Sequence, residues 1–163
     1  MLNGAIAGMA GITPVSGYIE SYWAALVALI IVLGAYFSII LFKNILKIDD
    51  ALDVSSVHGV TGVIGSLSIG FVAEKAVNPA GDNGLFYGNP NLLWIQIVGV
   101  SVTIIWSCIW TLVFLFFCGF FKFFKLTVEP EVELKGLDSY YHGDVAYIDL
   151  ETHRDDHGLH SHA

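Results

Sequence analysis

The chain has 163 residues, of which 55% are hydrophobic and 13% are charged, with a mean hydropathy of +0.69 and a net charge of −8. Soluble domains carry about 25% charged residues, and an aqueous fold cannot bury so many apolar side chains. The composition therefore excludes a soluble enzyme, a nucleic-acid-binding protein and a disordered chain, and it predicts an all-α membrane protein.

The first two apolar runs differ in length. Residues 2–12 form a run of about eleven residues, whereas a helix needs about 20 residues to cross a bilayer. This run is predicted to be a partial helix, the last half of one whose first half is missing. The next run is uncharged from Trp23 to Phe42 and is closed by Lys43. It predicts a complete span over about residues 22–43.

Two further spans follow in the chain. The run from Val54 to Val72 has no formal charge and contains glycines, serines and one histidine, and it predicts a span over 54–73. The third span, predicted over 92–122, contains thirty consecutive uncharged residues. As a helix these measure about 45 Å, which exceeds a hydrocarbon core of ~30 Å, so this span should tilt, bend or project beyond the bilayer.

The basic residues predict the orientation, because cytoplasmic loops carry an excess of Lys and Arg. Six of them fall on one side of the membrane, namely Lys43, Lys47, Lys122, Lys125, Lys135 and Arg154. Only Lys75 falls on the other side. We therefore expect a transmembrane body over 1–125, a cytosolic tail over 126–148 and a disordered His/Asp-rich extension over 149–163.

The second span contains the candidate functional residues. His58, Gly59, Gly62 and Gly65 share its first turns, and small residues at this spacing allow helix backbones to approach closely in lipid. Ionisable side chains inside spans are costly and mark pathways or relays. Two interpretations of His58 stay open: a residue of a transport pathway, or an imidazole that braces the bundle by donating to a backbone carbonyl.

Acidic residues precede this span. Asp49, Asp50 and Asp53 are predicted to cap it, because carboxylates accept the free N–H groups of a helix start and suit its positive dipole end; ligand binding is the alternative. His153 and His157 lie one helical turn apart and are a weak metal pair at most. Their segment has few apolar residues and is expected to be disordered. No metal ion and no cofactor are predicted.

A resemblance to a known family begins with IDDALDVSSVHGVTGVIG (48–65), which is similar to the penultimate membrane helix of the ammonium transporter (Amt/Mep/Rh) family, in its Amt/Mep branch. Four more segments resemble, in the family's order, the end of its eighth helix, the loop before its last helix, the last helix and the cytosolic tail. They are NGAIAGMAGITPVSGYI (3–19), GLFYGN (84–89), QIVGVSVTIIWS (96–107) and LTVEPEVELKGLDSYYHGDVAY (126–147). Chance does not plausibly place five such segments in order.

The resemblance implies a fragment of an eleven-helix fold, namely its C-terminal third, in a homotrimer in which each protomer has its own pore. In that family ammonium loses its proton and the nitrogen passes two hydrogen-bonded histidines. His58 matches the second of them. A neutral imidazole offers one donor and one acceptor, which is enough to guide ammonia.

The tail of the family couples protomers and switches transport, so the resemblance implies a regulatory role for 126–148. Its motifs match at Gly136, Leu137, Asp138, His142 and Gly143. Tyr140 stands where plant-type members have a phosphorylated threonine. A solvated acidic tail is the alternative, and a cytosolic regulatory protein is a candidate partner.

The expected function is therefore ammonium transport by a multi-pass protein of the plasma membrane, not an enzyme, with ammonium or ammonia as substrate. Membrane lipid and full-length protomers of a homotrimer are its expected partners, and nucleic acid is not. Two alternatives stay open: a non-conducting ammonium-sensing or regulatory subunit, and a truncated non-functional product.

Overall fold

A computed structural model describes residues 2–121, 127–135 and 137. Within these residues the chain is helical and has no strand. The α-helices are α1 (Leu2–Ile12), α2 (Ser21–Ile40), α3 (Thr61–Val72), α4 (Pro90–Phe120) and α5 (Pro130–Lys135). Two π-helical segments adjoin them, since Leu41–Ile45 continues α2 and Ser55–Val60 leads into α3.

Three helical stretches are long and apolar enough to cross a membrane: Ser21–Ile45, Ser55–Val72 and Pro90–Phe120. The predicted all-α membrane fold, with three such helices after the shorter α1, is thereby confirmed. Each stretch begins and ends within two residues of the run expected from the sequence. The lengths follow the uncharged runs because a charged side chain is costly in hydrocarbon.

Most of the predicted tail lies outside the described residues. This holds for Gly136, Asp138, Tyr140, His142 and Gly143, and also for the extension over 149–163. Leu137 is described, and its side chain is exposed.

The chain divides into two compact units, Met1–Ile109 and Trp110–Ala163. In the first unit α1, α2 and α3 pack against one another. Two clusters of buried side chains form its core: Val15, Val27, Ile31 and Val72 make up one, and Ala7, Ala35 and Val57 the other.

Glycines allow close approaches between helices of the first unit. A Cβ atom added to Gly65 in α3 would overlap the carbonyl oxygen of Gly11 in α1, and one added to Gly70 would lie 2.6 Å from Cα of Leu93 in α4. Close backbone contact of this kind suits membrane helices, whose association is driven by packing and not by exclusion of water. Beyond the contact at Gly70, α4 is exposed along most of its described length.

Hydrogen bonds hold the loop between α3 and α4 (residues 73–89) against α2. The Trp23 indole N–H donates to the Tyr87 hydroxyl over 3.0 Å, and the Tyr22 and Tyr87 hydroxyls lie 3.0 Å apart. The Phe86 ring packs on the Trp23 ring with 5.5 Å between centroids. The loop is therefore anchored by side chains at the start of α2.

This anchor predicts an unusual tyrosine titration. The hydrogen bond with Tyr22, with smaller contributions from burial and from Glu74, raises the pKa of Tyr87 to about 12. An unfolded tyrosine titrates at about pH 10, so the protonated phenol stabilises the fold fully below about pH 10 and this stability is lost as the pH rises through about 12. In a spectrophotometric titration of the folded protein we expect a last tyrosine phase centred at about pH 12, and Tyr87→Phe should remove it.

The matched control is Tyr36→Phe, because Tyr36 lies on α2 outside this hydrogen-bonded pair. That variant should keep the last phase. If Tyr87→Phe kept it as well, the hydrogen-bonded anchor would be wrong.

Candidate functional site

His58 lies on the π-helical segment Ser55–Val60, which begins with side-chain capping. The Asp50 carboxylate accepts the backbone N–H groups of Val54 and Ser55, over 3.0 and 2.8 Å. These bonds, that of Ser55 above all, hold the pKa of Asp50 below its ordinary value. The carboxylate thus satisfies N–H groups that a helix start otherwise leaves without partners.

The other two acidic residues of this stretch do different things. Asp49 is exposed. Asp53 is buried, and its carboxylate accepts the Asn3 side-chain amide over 3.0 Å and pairs with the Lys43 ammonium over 2.9 Å. Its side chain therefore joins α1 and the end of α2 to the start of the third span, while its backbone carbonyl accepts the N–H groups of Ser56 and Val57 in the π-helical segment.

The imidazole of His58 is exposed. Among residues 2–121, 127–135 and 137 its ring has no hydrogen-bond partner. A bracing bond from the imidazole to a backbone carbonyl, one of the two interpretations of the sequence, is thus not formed within the described part of the chain. The ring is instead presented at the surface of the helix.

The glycines next to His58 do not share one environment. Gly65 is buried against α1. A Cβ atom added to Gly59 or Gly62 would have no described neighbour within 4 Å. Of these three glycines, which are predicted to serve one packing surface, Gly65 meets another helix within the described part of the chain, whereas Gly59 and Gly62 border open space there.

That open space is a groove of about 660 Å³ between the third span and α4. One side is formed by Pro14, Gly59, Gly62, Val63 and Ser66, and the other by Gln96, Gly99, Val100, Thr103, Ile104, Ser107 and Cys108. The groove is mostly apolar, with a few hydroxyl groups and one amide and no charged side chain among these residues. A bare metal cation would lose its hydration there without replacement, whereas a small uncharged polar molecule would not meet that barrier.

Sequence reasoning singled out His58 and the three acidic residues but missed the partners of Asp53 and most of the groove. Asn3 and Lys43 lie 50 and ten residues before Asp53 in the chain, and no local pattern links such positions. Gln96 is a single amide side chain in an apolar run. This polar residue was the sequence signal that could have indicated the groove. No group of three potential metal ligands comes together in the described ranges.

Comparison with known proteins gives a consistent result. The family model described as Ammonium Transporter Family matches residues 1–147. Ammonium transporter 1 of Dictyostelium discoideum is 50% identical over 155 residues, which cover 92% of this chain and 32% of that protein. The ammonium transporter of Aquifex aeolicus is 39% identical over 145 residues, covering 89% of this chain and 33% of that protein. The chain spans about a third of the length of these curated relatives.

Solved structures agree with the helical arrangement. The crystal structure of Saccharomyces cerevisiae Mep2 superposes with a TM-score of 0.73 at 30% identity, over 79% of this chain and 30% of that one. For Candida albicans Mep2 the TM-score is 0.74 at 28% identity, over 88% of this chain and 34% of that one. The described helices are thus similar to one part of these larger folds.

Proposed function

Because the chain belongs to the ammonium transporter family, we propose that it takes part in moving ammonium across a membrane, with His58 on the transport pathway. The observation that carries this proposal is an imidazole that is exposed on a membrane-length helix and has no partner within the described residues. An ionisable side chain so placed is costly unless it faces a cavity or protein. Neighbouring segments of the whole protein would complete the pathway beside it.

The chemistry of the ring suits ammonia. A neutral imidazole carries one N–H donor and one nitrogen acceptor. Ammonia can accept from the first and donate to the second, so it exchanges hydrogen bonds without becoming charged. Ammonium entering such a pathway first gives up one proton to an acceptor and continues as NH₃. Sodium and potassium ions have no proton to give up, and the described residues around His58 form no ring of carbonyl or carboxylate oxygens for them.

The remaining features of the proposal concern topology and assembly. The excess of Lys and Arg on one side supports a cytosolic tail, and 126–148 is proposed as its regulatory segment. A homotrimer in the plasma membrane, surrounded by lipid, is the proposed assembly. A cytosolic regulator of the tail is the proposed partner.

The test is uptake of labelled methylammonium by cells that lack their own ammonium transporters and express the complete reading frame. We expect uptake above that of the empty vector, and we expect added ammonium to reduce it by competition. Absence of uptake, with the protein present at the cell surface, would contradict transport. If the protein then altered the uptake of a co-expressed conducting relative, the regulatory-subunit alternative would replace transport as the proposed function.

A further inference from the structure

Helix capping does not explain the contacts that the side chain of Asp53, near His58, makes. Asp53 is 8% exposed, and each of its carboxylate oxygens has a partner on another element: Oδ1 lies 2.9 Å from Nζ of Lys43, and Oδ2 accepts Nδ2–H of Asn3 over 3.0 Å. A carboxylate is buried favourably only when its lone pairs are matched in this way. The two partners come from α1 and from the π-helical end of α2.

The backbone of Asp53 is also unusual. Its φ is +56°, in the left-handed region that residues other than glycine seldom adopt, although Asp does so more readily than most. From this position its carbonyl oxygen accepts the N–H groups of Ser56 and Val57 over 3.1 and 2.8 Å. Asp53 therefore sets the direction in which the π-helical segment leaves the preceding loop.

The π-helical segment carries His58 five residues after Asp53. Ser56 and Val57 of this segment are buried, and Val57 lies in a cluster with Ala7 of α1 and Ala35 of α2. Apolar packing of a valine does not fix the orientation of the segment, whereas hydrogen bonds do so because their strength depends on angle. π-Helical turns within longer helices occur often at functional sites.

We propose that Asp53 is a positioning residue for His58. Through Lys43 and Asn3 its carboxylate fixes the π-helical segment to α2 and α1, and this attachment sets where the imidazole stands. The inference rests on the proposed role of His58 in transport, but the attachment itself can be tested without transport.

The first test uses methylammonium uptake by cells that express the complete reading frame. We expect Asp53→Ala and Lys43→Met to lower uptake per molecule at the cell surface by roughly three- to tenfold, because a residue that acts through His58 cannot cost more than the hydrogen bond of the imidazole contributes. Lys43→Arg keeps a cation beside the carboxylate and should retain uptake within about twofold. Asp49→Ala removes an exposed acid of the same loop and should leave uptake unchanged.

The second test needs no transport. In a background of Cys108→Ser and Cys118→Ala, a single cysteine is introduced by Gly59→Cys, where the structure leaves open space, and its reaction rate with a small thiol reagent is measured. Asp53→Ala should change this rate by about threefold or more because the segment shifts. Asp49→Ala should not change it.

Two results would overturn the inference. One is an Asp53→Ala protein with normal uptake and an unchanged labelling rate. The other is a loss of uptake that only matches a loss of protein from the cell surface, with the labelling rate of the remaining protein unchanged. If the proposed transport function fails while Asp53→Ala still alters labelling, the attachment stands and the role of His58 does not.

Discussion

Replacing Gly65 by valine is expected to drive α1 away from α3 and to lower the stability of the folded protein measurably. A Cβ atom at this position would overlap the carbonyl oxygen of Gly11 and would lie 3.3 Å from Cδ of Pro14. Backbone atoms cannot rotate aside as a side chain can. Overpacking a well-packed interior costs about 1–3 kcal/mol, and we expect the upper end here, against a total stability of about 5–15 kcal/mol for ordinary proteins.

The measurement is the thermal midpoint and the monodisperse yield of the detergent-purified protein. Gly62→Ala is the matched control, because it adds a methyl group to the same helix at a site with no described atom within 4 Å. We expect that variant to behave as the unmodified protein does. A Gly65→Val protein of unchanged midpoint would show that α1 and α3 do not meet as described.

Removing the imidazole in His58→Ala should lower methylammonium uptake without lowering the amount of protein. One hydrogen bond between uncharged groups contributes about 0.5–1.5 kcal/mol, which is roughly two- to tenfold in rate when 1.4 kcal/mol is tenfold. The fall will be larger if the ring also relays protons. The protein should still fold, because the side chain is exposed and leaves no cavity among the described helices.

A second substitution separates the two contributions. His58→Gln keeps a donor and an acceptor but cannot take up a proton near neutral pH. Uptake by the glutamine variant should therefore recover if hydrogen bonding suffices, and it should stay low if the proton relay matters. Normal uptake and unchanged selectivity in His58→Ala would remove His58 from its assigned role.

The spans were predictable from the sequence because the cost of charge in hydrocarbon acts locally along the chain. Lys43 closes the first uncharged run, and Pro90 suits the first turn of α4 because its missing N–H would have no partner there in any case. Pro90 is the first residue of α4, and the helical stretch that begins at Ser21 ends two residues after Lys43. Prediction therefore agrees with the described helices to within two residues.

The arrangement around His58 was not predictable in the same way. A π-helical and an α-helical turn share the same hydrophobic pattern, and which one forms here depends on distant partners such as Asn3 and Lys43. The spacing of Gly59, Gly62 and Gly65 indicates close packing but cannot say which glycine has a neighbour. Only the three-dimensional structure shows that Gly65 has one and that the other two border a groove.

The position of the buried side chains along the chain bears on how the protein is made. Every side chain of the two buried clusters in the first unit lies between Ala7 and Val72. A nascent chain that has not yet reached Pro90 already contains all of them, so α1, α2 and α3 can pack against one another before α4 is released into the bilayer. The first part of α4 then packs against α3, where Leu93 lies next to Gly70.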